Sequence, residues 1–510
     1  VRHAGAGVRR GGRQTGRQGQ LREDLYSKIQ SFSFANIDRF STASLITRIT
    51  TDVTNVQNAY QMCLRMIVRA PMLLVSILMT AWIDGSISLI FVGVAVVLGI
   101  VVAIAMVKVA APFRTMFRKY DDLNLVVQEN LTAIRVVKSF VREAREIDKM
   151  HQATGEVYRY SVKAEKILTF LTPCATFAMF VSNILILLVG SNMAVGNLPG
   201  NVTAADLQTL VIYSMQILTG VLSVAMCINF ISMSKGSMER ICEVLAEQPT
   251  ITAPADPVTC VRDGSVDFCH VSFAYSARSS EPVLRDIDLH IDSGEMIGII
   301  GATGSGKSSL VSLIPRLYDV SGGSVRVGGV NVQDYDLDVL RGSVAMVLQK
   351  NELFSGSIAE NLRWGNENAT MEQLRFAARQ ACAEEFIDGL PGGFDYDLGQ
   401  GGVNVSGGQK QRLCIARALL RQPKVLIFDD STFAVDTRTD AQIRQALRKY
   451  APDTTKIIIA QRVASVQDAD RIILLDKGRI TDVGSHEELL RTSEIYRNLY
   501  ESQVSGKEEG

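Results

Sequence analysis

The chain has 510 residues, room for more than one domain, and 53 basic against 53 acidic side chains, so its formal charge is zero. With no basic excess and no bases interleaved with aromatics, the composition argues against nucleic acid as a partner. Eight cysteines (Cys63, Cys174, Cys227, Cys242, Cys260, Cys269, Cys382 and Cys414) show no CxxC spacing, so free thiols serving as small apolar fillers are expected rather than metal or disulfide sites.

Residues 1–20 are rich in Arg and Gly, with neither the apolar core of a signal peptide nor a helical stripe, and are expected to be disordered. Four apolar segments follow, at residues 67–83, 88–111, 167–190 and 207–233. A helix needs about twenty residues to cross a bilayer, and these runs exceed what an amphipathic core helix requires. Loop charge sets their direction. Residues 84–87 and 191–206 carry no Lys or Arg, whereas the loop between the second and third segments carries Arg114, Arg118, Lys119, Arg135, Lys138, Arg142, Arg145 and Lys149. That basic loop belongs on the cytoplasmic side, together with the C-terminal half. Its own helical periodicity, through Leu123, Val126, Val127, Leu131 and Ile134, predicts membrane helices that continue well into the cytoplasm.

A linker with Pro249, Pro254 and Pro257 occupies residues 246–263, and strands and helices then alternate over residues 264–503, ahead of a short tail at 504–510. The strand at 296–300 runs into Gly301-Ala302-Thr303-Gly304-Ser305-Gly306-Lys307-Ser308-Ser309. Such a loop cradles phosphate with backbone N–H groups at a helix start, with Lys307 reaching the β- and γ-phosphates and the Ser308 hydroxyl serving magnesium. Gln349 follows the strand at 344–348, placed to touch magnesium and water. Val405-Ser406-Gly407-Gly408-Gln409-Lys410-Gln411-Arg412 precedes a helix expected at 413–420 and offers a second anion-binding glycine stretch. The apolar strand at 425–429 ends in Asp429, followed by Asp430, and the strand at 457–460 is followed by Gln461.

Together, the phosphate loop, Gln349, residues 405–412, residues 425–430 and Phe433-Ala434-Val435-Asp436 resemble the nucleotide-binding domain of an ATP-binding cassette (ABC) transporter. The membrane half resembles the exporter branch. Residues 32–57 are similar to its first intracellular loop and coupling helix, and residues 129–143 to its second. The fold implied is an α-helical transmembrane domain over residues 21–245 followed by an α/β P-loop NTPase cassette, with ATP and Mg2+ as cofactors. By the same resemblance Tyr275 stacks on adenine, while Ser308, Gln349 and Asp429 serve the metal. Ser406, Gly407, Gly408, Gln409 and the D-loop Asp436 face a partner's site.

Three departures from the family pattern stand out. Six spans are expected before the cassette and four are visible, with residues 1–20 standing where the second should run. Asp430 occupies the position of a catalytic glutamate, one methylene short, and Gln461 that of a histidine that would face the γ-phosphate. Phe433 opens the D-loop in place of serine. The two site substitutions resemble the degenerate subunit of heterodimeric exporters, which binds ATP, hydrolyses it weakly and completes a better site on its partner. The expected partners are thus a second half-transporter, membrane lipid and a small amphiphilic substrate. A membrane-anchored ATP-binding regulatory subunit and a homodimeric exporter with slow ATPase activity remain open alternatives.

Overall fold

The computed structural model describes residues 16–196, 198, 202–275, 281–429 and 437–505. Most of the segment expected to be disordered, and residues 430–436 with Asp430, Phe433 and Asp436, lie outside them. Two compact units emerge, one of residues 16–30 and 42–247, the other of residues 31–41 and 248–505.

The first unit is helical. Helix α1 (Gly16–Gln30) is followed, beyond α2 of the second unit (Phe34–Phe40), by α3 (Thr42–Thr47), a π-turn (Arg48–Asp52), α4 (Val53–Ile83), α5 (Gly85–Thr132), α6 (Ile134–Ser139), α7 (Glu143–Ala194) and α8 (Ala204–Ala246). Contrary to expectation, residues 16–20 are helical. They continue the helix that carries Leu25, which is completely buried and anchors it. At 1.5 Å per residue, the 48 and 52 residues of α5 and α7 reach roughly 70–80 Å, more than twice the ~30 Å hydrocarbon core. The predicted extension beyond the membrane follows. Helix α5 packs along α7, and α4 along α8.

Among the described residues, three helices are long and apolar enough to span, those at Gly85–Thr132, Glu143–Ala194 and Ala204–Ile228. The first expected span, residues 67–83, forms the C-terminal part of the continuous helix α4.

Polar contacts tie α4 to α8 at their cytoplasmic ends. Asp52 is buried and accepts from Arg240 Nε at 2.8 Å and from a second guanidinium nitrogen at 2.5 Å. Beside it, Arg48 donates to Glu243 and to the Arg240 carbonyl, both at 2.8 Å. Burial by itself would raise the Asp52 carboxyl, but the hydrogen bonds and charge of Arg240 outweigh it and hold the group below the usual carboxylate range. A depressed carboxyl stabilises the fold above its unfolded value, about 3.9, and that contribution disappears as pH falls through the lower folded value. Further along, Cys63 and Cys227 face each other with sulfurs 3.7 Å apart, a pairing across 164 positions that sequence spacing did not reveal.

The second unit holds two sheets. The larger has the order β10-β9-β3-β8-β7-β6, built from β3 (Met296–Ile300), β6 (Val344–Val347), β7 (Val425–Asp429), β8 (Thr455–Ile459), β9 (Arg471–Asp476) and β10 (Arg479–Gly484). All its pairings are parallel except β9–β10. Strands β3, β7 and β8 are buried at every residue, which is why they read as continuous apolar runs. Their alternate side chains feed two cores. Met296, Ile300, Leu426, Phe428 and Ile458 pack under the helical side, while Ile297, Ile299, Val425, Ile427, Ile457 and Ile459 pack towards the smaller sheet.

That smaller sheet is antiparallel, in the order β2-β1-β4-β5, from β1 (Val266–Phe273), β2 (Leu284–Ile291), β4 (Gly322–Val327) and β5 (Val330–Asn331). The helices are α9 (Lys307–Ser312), α10 (Leu337–Ser343), α11 (Ile358–Arg363), α12 (Met371–Gln380), α13 (Glu384–Asp388), α14 (Gly407–Leu420), α15 (Thr437–Tyr450), α16 (His486–Thr492) and α17 (Glu494–Ser505).

Two outcomes check the packing of the helical unit. Mild oxidation with copper phenanthroline should join Cys63 to Cys227 within one chain, read as a cross-linked peptide by mass spectrometry; its absence while both thiols still react with maleimide would contradict the α4–α8 packing. Asp52→Ala should lower the melting temperature of the detergent-solubilised chain, costing roughly 1.5–3 kcal/mol for the lost charge-assisted bonds.

Candidate functional site

The loop after β3 folds tightly because its glycines adopt backbone angles closed to other residues: Gly304 has φ +84° and Gly306 φ +101°. At Gly301 the constraint is space, since a Cβ would lie 2.1 Å from the Leu475 carbonyl. The Lys307 ammonium donates to the carbonyls of Gly301 and Ala302 at 2.7 and 2.9 Å, which hold it across the loop. Ser308 Oγ donates to Asp429 Oδ1 at 2.7 Å, so the start of α9 and the end of β7 meet through the two groups assigned to the metal. The Ser305 hydroxyl is buried inside the loop without a hydrogen-bond partner.

These residues surround one cavity of about 300 Å³, lined by Val283, Ile459 and nine of the expected site residues: Thr303, Gly304, Gly306, Lys307, Ser308, Ser309, Gln349, Asp429 and Gln461. An ammonium, hydroxyls and loop backbone suit a polyphosphate. Hydroxyl, carboxylate and carboxamide oxygens suit a hard cation such as Mg2+. Tyr275 reaches the same loop from the end of β1, its hydroxyl 2.8 Å from Ser309 Oγ and its ring half exposed.

Ser406, Gly407, Gly408 and Gln409 are not among the residues lining this cavity. Here the structure corrects an expected boundary, because the helix begins at Gly407 rather than at 413. Ser406 is its N-cap, accepting from the Gln409 N–H at 3.3 Å, while Gln409 Oε1 accepts from the Ser406 N–H at 2.8 Å. That reciprocal capping box offsets the poor helix propensity of two glycines. Ser406 and Gly407 are exposed, so the α14 N-terminus opens to solvent. Asp430 and Asp436 lie outside the described residues.

The match extends over the chain. The family described as the ABC transporter transmembrane region matches residues 16–222, and the one described as ABC transporter matches residues 284–433. An uncharacterized ABC transporter ATP-binding protein of Bacillus subtilis, YfiB, is 37% identical over 94% of this chain and 83% of its own length. The chain belongs to the ABC transporter family. This ABC transporter is an exporter half-transporter, an integral membrane protein with a helical transmembrane domain and a cytoplasmic ATP-binding cassette. A fatty acid ABC transporter ATP-binding/permease protein of Mycobacterium tuberculosis is 31% identical, over 94% of this chain and 75% of its own. A multidrug efflux ATP-binding/permease protein of Mycobacterium bovis is 33% identical, over 94% of this chain and 40% of its own. In fold, the chain is similar to a bacterial Atm1-family ABC exporter solved with ATP bound, with a TM-score of 0.83, 24% identity and coverage of 96% of this chain and 86% of that one.

Sequence reasoning missed Tyr318, which follows α9. Its ring lies edge-on to Tyr275, with centroids 5.1 Å apart, and also packs against Phe273 and Phe34. Its hydroxyl donates to Asp38 of α2 at 2.7 Å. Burial, and then Asp38, push the phenol well above its ordinary pKa. Helix α2 is held in the cassette unit by Asn36 too, which is buried and bonded to the Gln248 carbonyl and the Thr250 N–H at 3.0 and 3.2 Å. The Arg-Leu-Tyr-Asp run at 316–319 was visible, but its partner lies 280 positions away. Tyr318→Phe keeps the ring and removes the hydroxyl. Amide exchange across Phe34–Phe40 should then rise about fivefold, with β3 unchanged, by hydrogen–deuterium exchange mass spectrometry.

Proposed function

We propose that this half-transporter binds Mg2+–ATP at its own phosphate loop, hydrolyses it weakly there, and supplies Ser406–Gln409 to the stronger site of a second half-transporter in a heterodimer. The assembly moves a small amphiphile, of fatty-acid or drug-like character, out across the membrane. The observation that carries this is the grouping of Gln461 with Lys307, Ser308, Gln349 and Asp429 around one cavity. The binding groups are complete, while the residue that would face the γ-phosphate is a neutral amide. It donates a hydrogen bond but lacks the charge of an imidazolium. Asp430 weakens the same step from the sequence side, since a shortened carboxylate sits back from the attacking water. A well-placed general base is worth roughly 10²–10⁴-fold, and a misplaced one forfeits a comparable factor.

In this arrangement Tyr275 stacks on adenine, Lys307 neutralises the β- and γ-phosphates, and Ser308, Gln349 and Asp429 hold Mg2+, which supplies charge neutralisation at the phosphates. The open N-terminus of α14 presents donors to the partner's nucleotide, where Gly408 permits close approach.

Three measurements test this. Tyr275→Ala should weaken ATP binding by the full chain about tenfold, the scale of base–aromatic stacking, and Lys307→Ala should abolish it. The lone chain should turn over ATP only at a residual rate; sustained turnover near 1–10³ per second would sink the weak-site assignment and favour a homodimer. In a complex with its partner, Ser406→Ala or Gly408→Asp should remove most ATPase activity, and Asp430→Asn should matter far less. The reverse order would make this chain the host of the working site.

A further inference from the structure

Gln461 sits in a short connection between the end of β8 at Ile459 and a 3₁₀ turn at Val463–Ser465. The far end of that connection is fixed. Arg444 of α15, itself buried and paired with Asp440, donates to the Ser465 carbonyl at 3.1 Å. The near end is the buried strand. Between them, the two backbone groups that flank Arg462 go to a single side chain, since Gln503 Nε2 donates to the Gln461 carbonyl at 2.9 Å and Gln503 Oε1 accepts from the Val463 N–H at 2.9 Å. A carboxamide presents one donor and one acceptor side by side and matches this pair as a neighbouring strand would. A carboxylate lacks the donor, and an ammonium lacks the acceptor.

Gln503 lies near the end of α17, and that helix is firmly seated. Tyr496 is completely buried, with its hydroxyl 2.7 Å from His486 Nδ1, and Leu499 and Tyr500 pack against the helical-side core. Ser493, which precedes the helix, donates to Asp482 at 2.8 Å. The amide of Gln503 is thus delivered from a fixed base rather than from a loose tail.

We propose that Gln503 is a positioning residue for Gln461: the C-terminal helix sets how far the loop carrying Gln461 reaches towards the terminal phosphate, and so how strongly the site prefers a nucleoside triphosphate to a diphosphate. This rests on the reading above that Gln461 faces the γ-phosphate, and it adds a control point 42 positions downstream. Because Gln503, among the described residues, bonds backbone groups of the loop, its effect passes through the placement of Gln461 and not through contact with nucleotide.

The test uses the full chain in detergent with magnesium, titrated with AMP-PNP, which carries the third phosphate, and with ADP, which lacks it. Gln461→Ala should weaken AMP-PNP binding about fivefold and leave ADP binding unchanged, as expected for one lost hydrogen bond. Gln503→Met, which removes both bonds at similar volume, should do the same. So should Gln503→Glu, which keeps the acceptor for Val463 but loses the donor to Gln461. Either change combined with Gln461→Ala should weaken AMP-PNP binding no further than Gln461→Ala alone, since both act through one contact. Three results would overturn the proposal: unchanged AMP-PNP binding in the Gln503 variants, equal loss for both nucleotides, or additive loss in the double variants. If Gln461→Ala itself left AMP-PNP binding unchanged, the γ-phosphate assignment would fall first, and the proposal with it.

Discussion

Ile299 of β3 and Asp429 of β7 both pair with Ile459 of β8, so one row across the parallel sheet aligns the ends of three strands. The phosphate loop, Asp429 and Gln461 all issue from that row. Two residues beyond Ile299 the phosphate loop begins at Gly301, Asp429 itself meets Ser308, and two residues beyond Ile459 stands Gln461. A shift of one residue in any of these pairings would send buried Ile and Val side chains to the wrong core and move the site residues by more than 3 Å. Burial on both faces fixes the register, and the register fixes the spacing of Gly301, Asp429 and Gln461.

The apolar runs that became β3, β7 and β8 were legible because strands buried on both faces need no alternation. The phosphate loop was legible because its glycines are demanded by backbone angles and by space. Where reading failed, a local rule was overridden by a specific interaction. The helix was expected only from residue 413, yet the Ser406–Gln409 capping box starts α14 at Gly407. Residues 16–20 looked disordered by composition, yet they extend a helix that Leu25 pins.

Two contacts had no signal in a single sequence. Tyr318 and Asp38 are separated by 280 positions, and Gln503 and Gln461 by 42, so neither pairing is local in sequence. Such pairs are chosen by the folded surface, where a hydroxyl meets a carboxylate or an amide meets a broken strand end. They concern placement rather than chemistry, which is why motif reading finds the groups that line the cavity and passes over the groups that hold them.

The division of labour in the cassette follows from where rigidity is available. The phosphate loop and Asp429 are anchored directly to the central strands and need little further support. Tyr275 and the Gln461 loop stand beyond strand ends, and each is steadied by a side chain from elsewhere in the same unit, Tyr318 packing on the first and Gln503 bonding the second. Tyr318 in turn bonds α2, and Gln503 rides on α17. Both of these elements beyond the strand ends are thus tied to helices outside the sheet. A displacement of Tyr275 or of the Gln461 loop has a physical route to those helices that bypasses the rigid strands.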